Sequence, residues 1–297
     1  MAPLLSVRDL RVEFSAPDRR SIHALNGVSL EMQPGEALGL LGESGSGKST
    51  LGKSLLRILP SKARATSGAI EFEGRDLLRC SARDLQKIRG ARISRIPQEP
   101  GLALSPVMRV GDQIAEVIHA HQDRGRDQSS GWKASCTAAS ALLERVNLRG
   151  TPARRIYDAY PHQLSGGQLQ RVVIAQAIAC GPALVIADEP TASLDPGTEA
   201  EILDSLRSLR AEKNLAILFI THDPRILGNF AAAQVVFLRI ESLLDERPLG
   251  AKKNETRTWC SSEDAGAEHR THAARIVQHD VESVVDQLAR ALQRIAP

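Results

Sequence analysis

Gly42-Glu43-Ser44-Gly45-Ser46-Gly47-Lys48-Ser49-Thr50 decides how this chain is read. The run fits G-x-x-x-x-G-K-[ST]. It stands between an apolar stretch, Ala37-Leu38-Gly39-Leu40-Leu41, and a segment from Lys48 to Leu59 that places Leu51, Leu55, Leu56 and Leu59 on one helical face. A buried strand, a glycine-rich turn and a helix start, in that order, build a phosphate cradle. The glycines let backbone N–H groups crowd around phosphate oxygens, and the helix end adds partial positive charge. In such a cradle Lys48 reaches the β- and γ-phosphates and the Ser49 hydroxyl ligates Mg2+.

A second run, Leu184-Val185-Ile186-Ala187-Asp188-Glu189-Pro190, ends an apolar strand in two adjacent carboxylates. Downstream of a phosphate loop, Asp188 is placed to hold the Mg2+ shell. Glu189 is the candidate general base for an attacking water. A third run, Leu164-Ser165-Gly166-Gly167-Gln168, precedes Leu169-Gln170-Arg171 and an apolar helix from Val172 to Ile178. Serine, paired glycines and free N–H groups at a helix start make a second anion site. One chain therefore carries two half-sites for phosphate.

Outward from these runs, Leu5 to Phe14, Val28 to Met32 and Leu215 to Ile220 read as strands, and Glu199 to Arg210 as a helix. The alternation predicts an α/β fold, a mostly parallel sheet covered by helices. The middle of the chain differs. Val107 to His121 and Ala138 to Val146 read as helices around a polar loop from Gln122 to Trp132, so a helical subdomain, residues 101–164, is inserted in the core. No internal repeat appears, which implies a single nucleotide cassette, residues 1–240. Beyond it, residues 241–297 form a divergent tail. There Val277, Val281, Val284, Leu288, Leu292 and Ile295 recur at helical spacing, which predicts an amphipathic helix from Ile276 to Ile295.

Composition sets outer limits. With 297 residues and 42% hydrophobic content the chain can bury a large core, and 3% aromatics make that core aliphatic. A formal net charge of +3 gives no argument for nucleic acid, and none is expected as a partner. No run reaches the roughly 18 apolar residues of a spanning helix. No secretory signal is expected at Met1 to Ser6. Cys80, Cys136, Cys180 and Cys260 lie far apart and form no C-x-x-C pair, so reduced thiols are expected.

Taken together, these motifs resemble the ABC ATPases, whose signature is LSGGQ, found here intact at Leu164 to Gln168. The resemblance covers Leu4 to Val236 and implies roles for further residues. Gln98, in Ile96-Pro97-Gln98-Glu99-Pro100, matches the glutamine that touches Mg2+ and the attacking water. Asp195, in Ser193-Leu194-Asp195, matches a loop that crosses a dimer interface. His222, in Ile220-Thr221-His222-Asp223, matches the histidine that contacts the γ-phosphate, and Phe14 the aromatic that stacks on adenine. The implied fold is a P-loop NTPase core of the ABC type, with the inserted helical subdomain and a C-terminal helical tail. The implied cofactors are ATP and Mg2+.

Within that superfamily, Gln98 to Pro106 followed by Val110-Gly111-Asp112-Gln113-Ile114, the opening Leu4 to Leu10, and the Gly42-Glu43-Ser44-Gly45 form of the loop resemble the oligopeptide, dipeptide and nickel importer group. That resemblance implies integral membrane permease subunits and a second ABC ATPase subunit, in a homo- or heterodimer, as partners. It further implies an external solute-binding protein acting indirectly, and a peripheral location on the cytoplasmic face of the inner membrane. The tail departs from the group, which leaves the solute open among peptides and related small molecules. A soluble non-transport ABC ATPase and a regulatory ABC subunit are the alternatives. Leu102 and Leu104 are apolar residues in a segment expected to be exposed. They read either as a docking surface for a membrane subunit or as residues folded back into the local core.

Overall fold

The computed structural model describes residues 2–15, 21–121, 128–146, 151–230, 234–242 and 272–279. The strands are β1 (Leu5–Ser15), β2 (Ser21–Met32), β3 (Ala37–Gly42), β4 (Ala63–Phe72), β5 (Arg75–Asp76), β6 (Ile93–Ile96), β7 (Leu184–Asp188), β8 (Ala216–Thr221), β9 (Gln234–Ser242) and β10 (His272–His279). The helices are α1 (Lys48–Leu55), α2 (Ala82–Ile88), α3 (Pro100–Ala103), α4 (Val110–Ala120), α5 (Gln128–Arg145), α6 (Ala153–Asp158), α7 (Gly166–Ile178), α8 (Pro196–Lys213) and α9 (Pro224–Phe230).

These strands form two sheets. One has the order β10-β9-β3-β8-β7-β6, parallel from β9 to β6, with β10 antiparallel at one edge. The other, β2-β1-β4-β5, is antiparallel. The parallel sheet explains the continuous apolar runs. Every residue of β3, β7 and β8 is buried, because both faces are covered. Alternate residues feed two cores. Leu184, Ile186, Leu218 and Ile220 pack with Leu51 and Leu55 of α1 and with the antiparallel sheet. Val185, Ala187, Ile217 and Phe219 pack with the helical layer of α4, α5, α7 and α8. A period-2 pattern is thus present in these strands, but it divides apolar from apolar.

The parallel sheet agrees with the alternation in the sequence, whereas the antiparallel arrangement, β4, β6 and α2 have no counterpart among the expected elements. Several expected boundaries also shift: β2 begins at Ser21 and not Val28, and α4 at Val110 and not Val107. α1 ends at Leu55, not Leu59. Arg57 takes a left-handed φ of 49°, Ile58 N–H bonds Lys53 O and Arg57 N–H bonds Ser54 O, which closes the helix as a Schellman turn. The arginine side chain steadies that conformation by donating to the carbonyls of Leu77 and Cys80. α5 starts at Gln128, inside the expected polar loop. Its buried stripe runs Ser135, Ala139, Leu143 and continues to Val146 just past the helix, and the first two are too small or polar to register as apolar periodicity. Finally, the chain is extended over His272–His279 and pairs with β9, where the expected terminal helix was to begin at Ile276. The rest of that helix lies outside the described residues, as does Cys260. β9 itself runs to Ser242, past the expected domain limit at residue 240.

Leu104 and Leu102 part company. Leu104 is 4% exposed and belongs to the helical-layer core, whereas Leu102 is 82% exposed and Val107 80%. Of the two leucines, then, the structure makes Leu104 a core residue. No helix among the described residues is long and apolar enough to cross a membrane.

Candidate nucleotide site

The phosphate loop leaves β3 at Gly42 and turns into α1 at Lys48. Gly47 caps the helix with a φ of 92°, and a Cβ there would stand 2.5 Å from the Ala24 carbonyl oxygen and 2.9 Å from Leu25. Glycine is therefore needed twice over, for the left-handed backbone and for the close approach to β2. Gly45, also left-handed at 84°, faces open space. Glu43, Ser44 and Gly45 are exposed, so the loop presents its backbone outward. Thr50 lies in the first turn of α1, and its carbonyl accepts from the Ser54 hydroxyl.

Lys48 is nearly buried. Its Nζ donates to the carbonyls of Gly42 at 2.6 Å and Glu43 at 2.7 Å. Burial pushes its ammonium below the ordinary lysine value of 10.5, while Glu189, Asp188 and Glu43 pull the other way. The Ser46 hydroxyl is buried in the same loop without a hydrogen-bond partner in the structure. An orphaned donor and a buried cation beside an open glycine turn fit a polyanion such as a nucleotide's phosphates.

Asp188 ends β7 at 1% exposure. Its Oδ1 accepts from the Ser49 hydroxyl at 3.0 Å, and its Oδ2 from Arg95 Nη2 at 2.6 Å. The Ser49 and Asp188 oxygens are hard donors, as Mg2+ requires. No group of three or more His, Cys, Asp or Glu residues able to hold a metal occurs among the described residues. The pair thus fits a metal whose remaining ligands come from phosphate and water. Gln98, expected beside the metal, bonds elsewhere. Its Nε2 donates to Glu189 Oε2 at 2.9 Å, and His222 Nδ1 lies 3.0 Å from Glu189 Oε1. Glu189 adopts a φ of 46°, unusual for a residue with a side chain, and its N–H bonds the Ile220 carbonyl of β8. Both oxygens of this carboxylate are therefore held by residues from two flanking segments.

Phe14 of β1 is half-buried against the α1-side core and pairs with Ile22 of β2. β2 also carries Ala24 and Leu25, on which the phosphate loop rests, so Phe14 lies farther along the sheet that supports the loop. Leu164 to Gln168 sit apart. Ser165 caps α7, accepting from Gln168 N–H, while the Gln168 side chain accepts from Ser165 N–H. Ser165 and Gly166 are exposed. α7 packs on the sheet face opposite α1, and Leu164 joins that helical-layer core. A Cβ on Gly167 would stand 2.7 Å from Thr198 Cγ2 of α8, whose N-cap is Asp195, itself exposed and accepting from Thr198 N–H. Arg171 reinforces this joint, buried and paired with Glu201 of α8 at 2.5 Å. Ser165 to Gln168 and Asp195 thus belong to one packed unit.

Arg95 was not foreseen. The visible signal was a charged residue within the buried strand Ile93-Ser94-Arg95-Ile96.

The family model described as "ABC transporter" matches residues 25–192. The oligopeptide transport ATP-binding protein AmiE of Streptococcus pneumoniae serotype 4 is 42% identical over 230 residues, covering 77% of this chain and 62% of the relative. A putative peptide import ATP-binding protein of Brucella melitensis biotype 1 is 42% identical over 236 residues, covering 79% of this chain and 68% of the relative. The chain spans about 62% of the length of the first of these relatives. Among solved structures, the ATP-binding cassette MJ0796, in a dimeric post-hydrolysis state bound to ADP and Pi, superposes with a TM-score of 0.67 at 25% identity, over 78% of this chain and 93% of that one. A phosphate loop, paired carboxylates and a capped Ser-Gly-Gly helix start, on a cassette fold matched from residue 25 to 192, make this chain a member of the ABC transporter family of ATP-binding proteins.

Proposed function

We propose that the chain is the ATP-binding and ATP-hydrolysing subunit of an ABC importer, which couples closure of a cassette dimer to movement of peptides or a related small solute across the cytoplasmic membrane. The observation that carries the reading is the Glu189 carboxylate. It lies beside the phosphate loop with one oxygen bonded by Gln98 and the other by His222. The names of the relatives support an import role and a peptide solute.

In this reading the Gly42 to Thr50 loop and Lys48 hold the triphosphate, and Phe14 supports the adenine. Ser49, Asp188 and Gln98 hold Mg2+, which when bound neutralises charge on the phosphates. Glu189 takes the proton of the attacking water. Gln98 and His222 fix the orientation of that carboxylate and release it as they turn to the nucleotide. Leu164 to Gln168, with Ser165 and Gly166 exposed at the start of α7, face the nucleotide of a second cassette, and Asp195 lies at the same interface. The other cassette is a second copy or a relative. Leu102 and Val107 meet a permease subunit, which places the chain peripherally on the cytoplasmic face, with an external solute-binding protein acting through the permease.

Glu189→Gln tests this. The variant should bind ATP, hydrolyse it at least about 100-fold more slowly, the usual size of a general-base contribution, and accumulate as an ATP-bound dimer with its partner cassette. Hydrolysis at the unmodified rate would remove Glu189 from the chemistry.

A further inference from the structure

We propose that Arg95 makes metal binding at the nucleotide site depend on nucleotide: it holds and neutralises Asp188, so that a divalent cation binds well only together with nucleotide phosphates. The inference rests on the ATP and Mg2+ reading above and goes beyond it, since it concerns what the site does without nucleotide.

Arg95 lies on β6, at the edge of the parallel sheet, in register with Ile186. Asp188 is two residues farther along β7 and therefore on the same face. Ile93, two residues before Arg95, packs in the α1-side core with Leu184 and Ile186. A strand position that would otherwise extend this apolar face carries a guanidinium instead, 20% exposed, with its Nη2 2.6 Å from Asp188 Oδ2. Its Nε is buried and unpartnered in the structure. Among the described residues Asp188 is thus its hydrogen-bond partner, and Arg95 is not a general tether between segments.

The two donors on Asp188 are chemically unequal. Ser49 can keep donating to Oδ1 and still offer an oxygen lone pair to a cation. Arg95 offers no lone pair and does not lose its proton, so Oδ2 stays committed. Glu189, the neighbouring carboxylate, is engaged by Gln98 and His222. Without nucleotide, therefore, Lys48 and Arg95 balance Asp188 and Glu189, and a dication meets little net negative charge. Mg2+ usually takes one or two carboxylates plus substrate phosphates, and here the phosphates supply what the carboxylates do not. A neutral side chain at position 95 would leave the site one unit more negative. For a dication a few ångströms away, that is worth at least about tenfold in affinity even at a water-like dielectric.

The test is a Mn2+ titration of the full chain, read by the electron paramagnetic resonance of the free aqua ion, with and without a non-hydrolysable ATP analogue. The unmodified protein should bind Mn2+ weakly alone and tightly with the analogue. Arg95→Met should raise nucleotide-free Mn2+ affinity at least about tenfold. Because that coupling is reciprocal, the analogue should strengthen Mn2+ binding, in each variant, by the same factor as Mn2+ strengthens binding of the analogue. Arg95→Lys, which keeps the charge, should restore the unmodified behaviour. Arg95→Gln keeps a donor to Asp188 without charge, should behave as Arg95→Met does, and serves if the methionine variant does not fold. Unchanged nucleotide-free Mn2+ binding in a folded neutral variant overturns the proposal, as does a lysine variant that matches the neutral ones. Failure of the unmodified protein to bind the analogue at all would instead remove the nucleotide reading on which it rests.

Discussion

Leu102 and Leu104, two residues apart in sequence, should respond oppositely to the same substitution. Leu104 is 4% exposed among Val110, Ile114, Val173 and their neighbours, so Leu104→Ser loses a buried side chain and leaves a cavity. Buried leucine truncations cost about 2–5 kcal/mol, and the new hydroxyl, unless it finds a partner, adds about 1–3 kcal/mol. Leu102 at 82% exposure touches little, and Leu102→Ser should stay within about 0.5 kcal/mol of the unmodified stability. Urea unfolding of each single variant measures this directly, with the midpoint falling for Leu104→Ser alone. If Leu102 meets a permease subunit, Leu102→Ser should also spare ATPase activity of the isolated chain and lower transport and permease-stimulated ATPase. A Leu102 variant as unstable as the Leu104 variant would contradict the exposure on which the argument stands. A stable Leu102 variant with full transport would dispose of the docking role.

Two further outcomes follow from the phosphate loop. If Lys48 binds phosphate as an ammonium, then, with burial holding its pKa below 10.5, ATP affinity should fall as pH rises through that lowered value. Below it the lysine is already charged and affinity should be flat with respect to this group; Lys48→Ala should be weak throughout and lack the alkaline limb in a fluorescent-nucleotide titration. Gly47→Ala forces a side chain into a φ of 92° and against the Ala24 carbonyl, a backbone group that cannot swing aside. It should cost about 2–5 kcal/mol, from about 1–2 for the left-handed backbone and about 1–3 for overpacking. A thermal melt close to that of the unmodified protein would show that the loop backbone can relax.

Where the sequence was legible, one residue type had one physical reason to be there. β3, the glycine turn after it and the start of α1 stand out because an apolar strand, spaced glycines and a leucine face leave few alternatives, although α1 stops at Leu55. β7 and β8 stood out because a strand buried on both faces must be apolar throughout. The antiparallel sheet was opaque for the opposite reason. β4 runs Ala63-Arg64-Ala65-Thr66-Ser67-Gly68-Ala69-Ile70-Glu71-Phe72, half exposed and held largely by pairing with β1, so its first residues carry no apolar alternation. α5 was misplaced because Ser135, fully buried, satisfies its hydroxyl on the Gly131 carbonyl of its own helix and looks polar in sequence. The tail was misread over Ile276 to His279 because alternating and helical spacing overlap in so short a stretch, and there the partner strand β9 decides.

In the site, adjacency along the chain was readable and adjacency across the sheet was not. Asp188 and Glu189 are neighbours in sequence, yet they leave β7 into different surroundings: one fully buried between Ser49 and Arg95, the other turned by a positive φ toward Gln98 and His222. That single backbone rotation points two adjacent carboxylates at different partners, and in the proposed mechanism it separates the metal-side carboxylate from the water-side one. It also explains why Gln98 bonds Glu189 and is not found at the Ser49–Asp188 pair. Arg95 reaches Asp188 only because β6 and β7 run parallel in one register, a pairing across 93 positions that no local pattern encodes. A charged residue in a four-residue buried strand must nevertheless find a counter-charge, since an unpaired one costs several kcal/mol. The strand Ile93–Ile96 therefore announced a partner without naming it, and the nearest buried carboxylate on the same face was Asp188.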